Sequence, residues 1–327
     1  MHSHRSNSSD TSKFTCIALA VLAAQPGLAR AQDVGLEQAA DLRQVITSAK
    51  SFDEIAVELT NPMGSLSAVF NDFQYNTFQG NLNGASDQTR LTYLITPSIP
   101  FLLDNGKSIV LRTTFPVTFG EPTIPFQIDQ DYADWRIRQF ANFLPLDTPM
   151  RKDHSYMGDI SVDLAYGGVN DNGYITMFGA AAVLPTSRDG SSERDQYLLG
   201  PEFAFGKVTR WGVIGAWATH LTNVAAVDEK LPLYDTNLTS LKIFFAYGLG
   251  NGWQIISNPV IEYDWEGLKD NKLLLPIGGG FSKTTSIGRI PLKMDLELFH
   301  YIESPTAFGP EWLLTFSVTP VLSDRSR

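Results

Sequence analysis

The chain has almost no cysteine, no long apolar run and too few basic residues to balance its acidic ones. Cys16 is the single cysteine among 327 residues, so neither a disulfide nor a cysteine metal site is expected after the N-terminal leader. Beyond that leader no segment approaches the ~18 consecutive apolar residues of a spanning helix. The net charge of −10 argues against nucleic acid and anionic membrane surfaces as partners.

Residues 1–31 have the organisation of a secretory signal. Arg5 and Lys13 lie in a polar first part, an apolar run follows over residues 14–28, and Ala29-Arg30-Ala31 is a small-x-small cleavage sequence. We expect cleavage after Ala31. The mature protein is therefore expected outside the cytoplasm, in the bacterial outer membrane if the pattern described next is a membrane barrel.

Residues 251–266 alternate between two kinds of side chain. One parity carries mainly apolar and aromatic residues, Trp253, Ile255, Ile261, Tyr263 and Trp265, and the other carries Gln254, Asn258, Glu262, Asp264 and Glu266. A period of two predicts a strand with two different faces. Over the twelve residues from Trp253 to Trp265 a tilted strand rises roughly 28 Å along a membrane normal. This rise matches the aromatic girdles of outer-membrane barrels, which border an apolar band about 25 Å tall.

Similar alternation recurs along the rest of the chain and predicts twelve strands. They begin near Ser65, Thr89, Lys107, Tyr156, Gly173, Gln196, Trp211, Thr236, Trp253, Lys272, Arg289 and Glu311. Short turns at 104–106, 170–173, 207–210, 250–252 and 286–288 alternate with longer links at 79–88, 120–155, 187–195, 223–235, 266–271 and 303–310. Short periplasmic turns and long extracellular loops are typical of outer-membrane barrels. The predicted fold is an all-β transmembrane antiparallel barrel of about twelve strands.

The segment before the barrel is predicted to be helical. Residues 36–59 carry apolar residues at helical spacing, and Ser51 with Glu54 forms a capping box for a short helix that Pro62 ends. This helix rests on the periplasmic mouth or enters the lumen as a plug. The predicted parts are the signal (1–31), a helical segment (32–62), the barrel (63–323) and a tail (324–327). The first strand changes phase at Asn71-Asp72, which predicts a β-bulge.

The inward parity of the strands gives a set of charged residues for the lumen or substrate path. They are Arg90, Arg112, Asp159, Asp163, Glu202, Lys242, Glu262, Asp264, Lys293, Asp295 and Glu297. Acidic groups outnumber basic ones, which predicts a mildly negative interior. Two interpretations stay open: a polar conduit or binding cavity, and a closed barrel filled by ion pairs.

The longest link, residues 120–155, is rich in aromatic side chains. It contains Phe126, Tyr132, Trp135, Phe140 and Phe143. Loops of this length are usually functional or disordered. An aromatic lid over the outer mouth and an ordinary surface loop are the two alternatives.

One short motif points to an enzyme. His220-Leu221-Thr222-Asn223 is similar to the His-x-Ser-Asn arrangement of outer-membrane phospholipases and lipid A deacylases, in which His activates a hydroxyl. A lipid hydrolase using His220 and Thr222 is therefore an alternative function, although the alternation of this strand places His220 towards the lumen. His154 and His300 have no partners at metal-ligand spacing. No cofactor and no metal are predicted.

Three short motifs resemble an outer-membrane barrel family named for the meta-pathway of phenol degradation. They are Glu58-Leu-Thr-Asn-Pro62, Tyr263-Asp-Trp-Glu266 and Gly309-Pro-Glu-Trp312, within a similarity running from about 58 to 322. The resemblance implies an outer-membrane protein that admits small aromatic or apolar compounds. Its partners would be membrane lipid, the solute and the barrel assembly machinery, although residues 323–327 follow Leu322 where many such barrels end on an aromatic residue. We expect a passive uptake channel, with the hydrolase and a non-conducting scaffold as alternatives.

Overall fold

The structure is a computed structural model that describes residues 50–82, 84–123, 151–152, 155–187, 196–227, 235–267 and 271–324. The predicted signal and its cleavage site, most of the predicted helical segment and the five lid aromatics lie outside the described residues. The described residues belong to the compact unit of residues 47–327.

Twelve long strands make up this part of the chain. They are β1 (Leu66–Gln79), β2 (Thr89–Leu102), β3 (Ser108–Phe119), β4 (Ile160–Val169), β5 (Tyr174–Leu184), β6 (Gln196–Thr209), β7 (Gly212–Ala226), β8 (Asn237–Gly250), β9 (Trp253–Ser257 and Val260–Asp264), β10 (Leu273–Ile287), β11 (Ile290–Glu303) and β12 (Gly309–Asp324). The short pieces Pro122–Thr123, Arg151–Lys152 and Tyr156–Met157 lie between β3 and β4. The strands begin close to the predicted positions.

The strands form one closed antiparallel barrel. Each pairs with its neighbour in the chain, and β12 pairs back onto β1 with Leu66 opposite Asp324. Closure leaves no unpaired sheet edge, which is the requirement for a sheet that crosses lipid. The predicted fold class, a twelve-stranded barrel with a short helix on its N-terminal side, is confirmed.

The connections differ in length at the two ends of the barrel. Tight turns follow β2, β4, β6, β8 and β10, at the end where Leu66 and Asp324 lie, called here the turn end; the longer links lie at the opposite, loop end. In the β8–β9 turn, Asn251 and Gly252 adopt φ values of 54° and 77°. Positive φ is what a tight hairpin turn needs, which explains why Asn-Gly predicted this turn correctly.

The outer surface of the barrel is apolar. Outward side chains with large exposure include Leu164, Phe178, Phe203, Ile277, Phe281, Leu296, Leu298 and Phe316. At the turn end, three lysines lie over aromatic rings: Lys107 over Tyr166, Lys207 over Tyr174 and Lys283 over Trp253. An apolar belt bordered by aromatic and basic side chains is the surface expected of a barrel that sits in a bilayer.

The predicted bulge in β1 is wrong. The register of β1 with β2 runs unbroken from Ala68 to Thr77, and the shifts against β12 lie near the strand ends rather than at Asn71. Phe70 and Asp72 therefore both face the interior. The inward apolar residues at the start of β1 pack against the helix before it. The apolar residues of β1 therefore change parity because the first part of the strand has its apolar side chains on the helix and the later part has them on the outer surface.

The predicted facing of β7 is also wrong. Trp217 lines the interior opposite Lys242, and Val213 is fully buried inside, so His220 on the opposite parity faces outward. The prediction assumed that large apolar residues face lipid. At the turn end of this barrel the interior is apolar as well, and the assumption fails there.

The described part of the N-terminal segment contains one α-helix, α1 (Phe52–Thr60). The predicted capping box is present: Ser51 Oγ accepts from the Glu54 N–H at 3.2 Å, and the Ser51 N–H donates to Glu54 Oε2 at 2.7 Å. The Ser51 N–H, and after it the Ser51 hydroxyl, which donates to the same Glu54 oxygen at 3.0 Å, lower the pKa of the Glu54 carboxyl. No helix in the described ranges is long and apolar enough to cross a membrane.

Helix α1 lies inside the barrel. Its Ile55 and Ala56 are 1% and 0% exposed. Its first turn is held at the turn end, where the Gly252 N–H donates to Asp53 Oδ1 at 2.6 Å, and Lys293, an inward residue of β11, donates to Thr60 Oγ1 at 2.9 Å. The sequence left two positions open for this helix, the periplasmic mouth and the lumen. In the structure, α1 and the segment up to Ser65 lie in the lumen and are called here the plug.

Candidate functional site

The lumen is filled at its turn end. A cluster of buried inward side chains from β3 to β9 closes around Met63 of the plug: Val110, Ala165, Ile175, Met177, Ala204, Val213, Phe244, Ala246 and Ile256. Small residues make room for it, since Gly206 and Gly215 lie under the Phe244 ring, where a Cβ atom would come within 2.8 and 2.2 Å of Cζ. Together with α1 this cluster forms a floor.

Above the floor is a cavity of ≈ 450 Å³. The plug contributes Glu58 to Pro62 and Gly64 to its lower wall. Inward side chains of β1 to β4, β7, β8, β11 and β12, together with residues of β9 and β10, form the side walls. Apolar lining residues include Phe70, Leu94, Phe244, Phe299 and Leu313, and polar ones include Gln74, Thr96, Thr219, Ser240 and Thr315. A cavity with mixed lining, closed on one side, is suited to an amphipathic small molecule.

Arg112 is the most heavily contacted cation of this interior. Its guanidinium bonds Asp163 Oδ1 at 2.7 Å, donates to the Pro62 carbonyl at 2.9 Å and lies 4.1 Å over the Trp217 ring. The Trp217 indole N–H donates to Glu202 Oε2 at 3.1 Å. Arg112 thus ties three strands to the end of the plug.

A second cation binds the plug from the opposite wall. Lys293, with 4% of its side chain exposed, forms an ion pair with Asp295 at 3.3 Å in addition to its bond with Thr60. Nearby, Glu297 accepts from the N–H and side-chain amide of Asn258, at 2.9 to 3.2 Å. The carboxylates of this wall are therefore engaged with their neighbours.

Lys242 differs from these cations. It projects from β8 into the cavity, and among the described residues its ammonium has no hydrogen bond and no ion pair. Its neighbours across the ladder are Trp217 on β7 and Val260 on β9. An exposed cation with aromatic and aliphatic neighbours is the most available charged group of the cavity.

The structure brings together six of the eleven predicted lumen residues. Arg112, Asp163, Lys242, Lys293, Asp295 and Glu297 line the cavity. Glu202 lies behind them, against Arg112 and Trp217.

The other four lie towards the loop end. Arg90 forms an ion pair with Glu121 at 3.2 Å. Asp159 accepts hydrogen bonds from the Thr186 and Ser187 N–H groups and so holds the segment that follows β5. Glu262 and Asp264 are near the end of β9, opposite Ser240 and Leu238.

Several cavity residues escaped the sequence reasoning. Asp72 was missed because a bulge was predicted in β1. Trp217 was missed because the predicted inward and outward faces of β7 were the reverse of the actual ones. Tyr301 was passed over because only charged residues were considered. Asp72 could have been found by extending the β1 alternation through Asn71 without a break, since Gln74 follows on the same parity.

The barrel wall beside the cavity has an interruption. Strands β9 and β10 pair at 253–256 with 280–283 and again at 262–263 with 273–274, and the residues between lack pairing. This is the longest interruption in the described ladders. Pro259 and Pro276 fall within it, and proline has no N–H to donate. A side-chain hydrogen bond crosses it, from Ser257 Oγ to the Gly278 carbonyl at 2.7 Å.

The proposed hydrolase residues do not form a catalytic pair. His220 Nδ1 is 2.9 Å from Thr239 Oγ1, and the Trp265 indole N–H donates to the same hydroxyl at 2.9 Å. The Thr222 hydroxyl bonds the Asn223 carbonyl instead. A hydroxyl nucleophile must be hydrogen-bonded to the histidine that acts as its base. Here the His220 imidazole and the Thr222 hydroxyl each have another partner. The described residues also contain no cluster of three His, Cys, Asp or Glu that could hold a metal.

Comparisons with known proteins find a similar fold but no matching family. No protein-family profile matches the chain, and no curated protein matches it, so the resemblance to the meta-pathway family stays a prediction. Among solved structures, an outer membrane channel from Pseudomonas putida F1 is similar with a TM-score of 0.50 and 11% identity, over 79% of this chain and 96% of that one. At this identity the likeness shows the fold alone.

Two further structures are more distant. The CymD monoaromatic hydrocarbon channel gives a TM-score of 0.40 at 12% identity, over 89% of this chain and 94% of that one. A Pseudomonas aeruginosa FadL homologue gives 0.39 at 8% identity, over 83% and 94%.

Proposed function

We propose that the chain is an outer-membrane channel through which small solutes, including aromatic or apolar compounds, are taken up by passive diffusion. The observation that carries the proposal is the solute-sized cavity inside a closed barrel whose outer surface is apolar. The fold it shares with an outer membrane channel supports it.

The cavity suits a small amphipathic or aromatic molecule. A dry cavity of about 150 Å³ is enough to bind benzene, so ≈ 450 Å³ accommodates a substituted ring together with some water. Rings such as Phe70, Phe244 and Phe299 supply apolar contact, while hydroxyls such as those of Thr96 and Ser240 can form hydrogen bonds with polar substituents.

The route out of the cavity follows from the floor and the wall. The plug and the apolar cluster fill the turn end of the lumen. The unpaired stretch between β9 and β10 borders the cavity, because Asn258, Pro259, Val260 and Pro276 belong to both. We therefore place the exit of apolar solutes at this wall interruption.

The transport activity is tested by flux into liposomes. Purified protein is reconstituted, and entry of sugars, amino acids and small aromatic compounds is compared with entry into protein-free vesicles. Small aromatics should enter faster through the protein than into protein-free vesicles, and faster than sugars do. Equal rates for every solute in both vesicle types, and no conductance in planar bilayers, would indicate a non-conducting scaffold.

The exit is tested separately by closing the wall interruption. Pro259→Cys with Ile277→Cys places two thiols across the unpaired stretch, and a short bis-maleimide that alkylates both thiols should reduce aromatic flux severalfold. Ile255→Cys with Phe281→Cys, a paired position in the same two strands, is the matched control. The mature chain is expected to have no other thiol. If both cross-links leave flux unchanged, solutes leave by another route.

The hydrolase alternative has its own assay. Fatty-acid release from phospholipid vesicles should be absent from the wild-type protein. Release that disappears in His220→Ala would instead establish the enzyme.

A further inference from the structure

We infer that Lys242 makes the cavity a binding site for small organic monoanions, meaning a carboxylate on an aromatic or aliphatic body. The inference deepens the proposed function and rests on it. It concerns which solutes are held in the cavity, whereas the proposed function concerns whether solutes cross.

The first argument is the contrast among the inward cations. Arg90 is paired with Glu121, Arg112 with Asp163, and Lys293 with Asp295 and Thr60. Lys242 has no such partner among the described residues and is exposed to the cavity. A lysine ammonium offers three donors, so this site presents unused hydrogen-bonding capacity to a solute.

The second argument is the surroundings of Lys242. Trp217 and Val260 lie beside it on the neighbouring strands, and Phe244 follows two residues along the same face. These side chains give apolar contact to the body of a ligand whose carboxylate meets the ammonium. A free inorganic anion would use only the charge, so an organic anion with an apolar body fits better.

The third argument concerns the carboxylates of the same cavity. Asp163 is held by Arg112, Asp295 by Lys293 and Glu297 by Asn258. Asp72 lies on β1, directly opposite Ser317 of β12, and the charges of Asp72, Asp163 and Glu297 interact with Lys242 across the cavity without forming an ion pair with it. Because a charge attracts most strongly at contact distance, a carboxylate touching Lys242 gains more than it loses to acidic groups on other walls.

The test is a titration of purified wild-type protein with benzoate, followed by saturation-transfer NMR, with benzyl alcohol as the uncharged analogue. Lys242→Met should weaken benzoate binding about tenfold or more, since a hydrogen bond to a charged group is lost. Benzyl alcohol binding should change little. Lys242→Arg keeps the charge and should retain most of the benzoate affinity.

The matched control is Lys283→Met, which removes the same charge from the outer surface over Trp253. It should leave benzoate binding unchanged. The inference is overturned if Lys242→Met binds benzoate as the wild type does, or if both lysine variants lose it equally. Benzyl alcohol flux into liposomes separates the two proposals: flux without Lys242-dependent benzoate binding defeats only this inference, whereas absent flux defeats the channel.

Discussion

Replacing Arg112 with methionine should be among the most damaging single changes in the barrel interior. The side chains of Arg112, Asp163 and Glu202 are 8%, 18% and 1% exposed, and the guanidinium is the cation that faces both carboxylates. Removing one partner of a buried ion pair leaves an uncompensated charge and typically costs about 3–5 kcal/mol. The variant also loses the bond to the Pro62 carbonyl, so the plug is loosened as well.

The measurement is urea unfolding of the protein folded in lipid vesicles, followed by tryptophan fluorescence. Arg90→Met is the matched control, because Arg90 is also in an ion pair but 34% of its side chain is exposed; an exposed pair contributes only ~0–1 kcal/mol. The triple variant Arg112→Met, Asp163→Asn, Glu202→Gln removes every charge of the group and should recover a large part of the loss. If Arg112→Met is no more destabilising than Arg90→Met, or if the triple variant is no better than the single one, the reasoning about charge compensation is refuted.

Three other predictions concern the wall, the plug and the loop end. Ile243→Lys, on the lipid face near the middle of β8, should cost ~2–4 kcal/mol of unfolding free energy in vesicles, while Ser240→Lys, facing the cavity, should cost much less; equal losses would contradict the assigned facing. Deleting residues 50–62 should raise single-channel conductance in planar bilayers, and a folded barrel with unchanged conductance would mean that the plug does not obstruct the ion path. Neutralising Glu262 and Asp264 together, as Gln and Asn, should reduce cation preference in reversal-potential measurements at low salt, where the Debye length is ~30 Å; an unmoved reversal potential in a conducting protein would place these side chains away from the path.

The barrel was predictable because each of its signals is local. Alternation along a strand and the residues of a tight turn depend on neighbouring positions only, so the Asn-Gly of the β8–β9 turn and the period of two in β9 could be read directly. Twelve strands with turns at one end then leave little choice of topology.

The interior was less predictable because it depends on contacts between distant parts of the chain. The rule that apolar side chains face lipid failed for Phe70 and Trp217, since both face an interior that the plug and the apolar floor make partly apolar. The sequence likewise did not show that Arg112 would meet Pro62, or that Lys242 would be left without a partner. Pairing between side chains far apart in sequence is a property of the assembled structure.

The position of the plug has a consequence for the order in which the barrel is assembled. Helix α1 is followed directly by β1, and β1 is one side of the seam that closes against β12. Until the helix is inside, Lys293 lacks its Thr60 acceptor and Arg112 lacks the Pro62 carbonyl. Closing the seam around an empty lumen would therefore leave Lys293 and Arg112 with their carboxylate partners alone and without the acceptors that the plug supplies, which is less favourable. We therefore expect insertion of the plug and closure of the barrel to be one cooperative event, with the helix in place when the last pair of strands comes together.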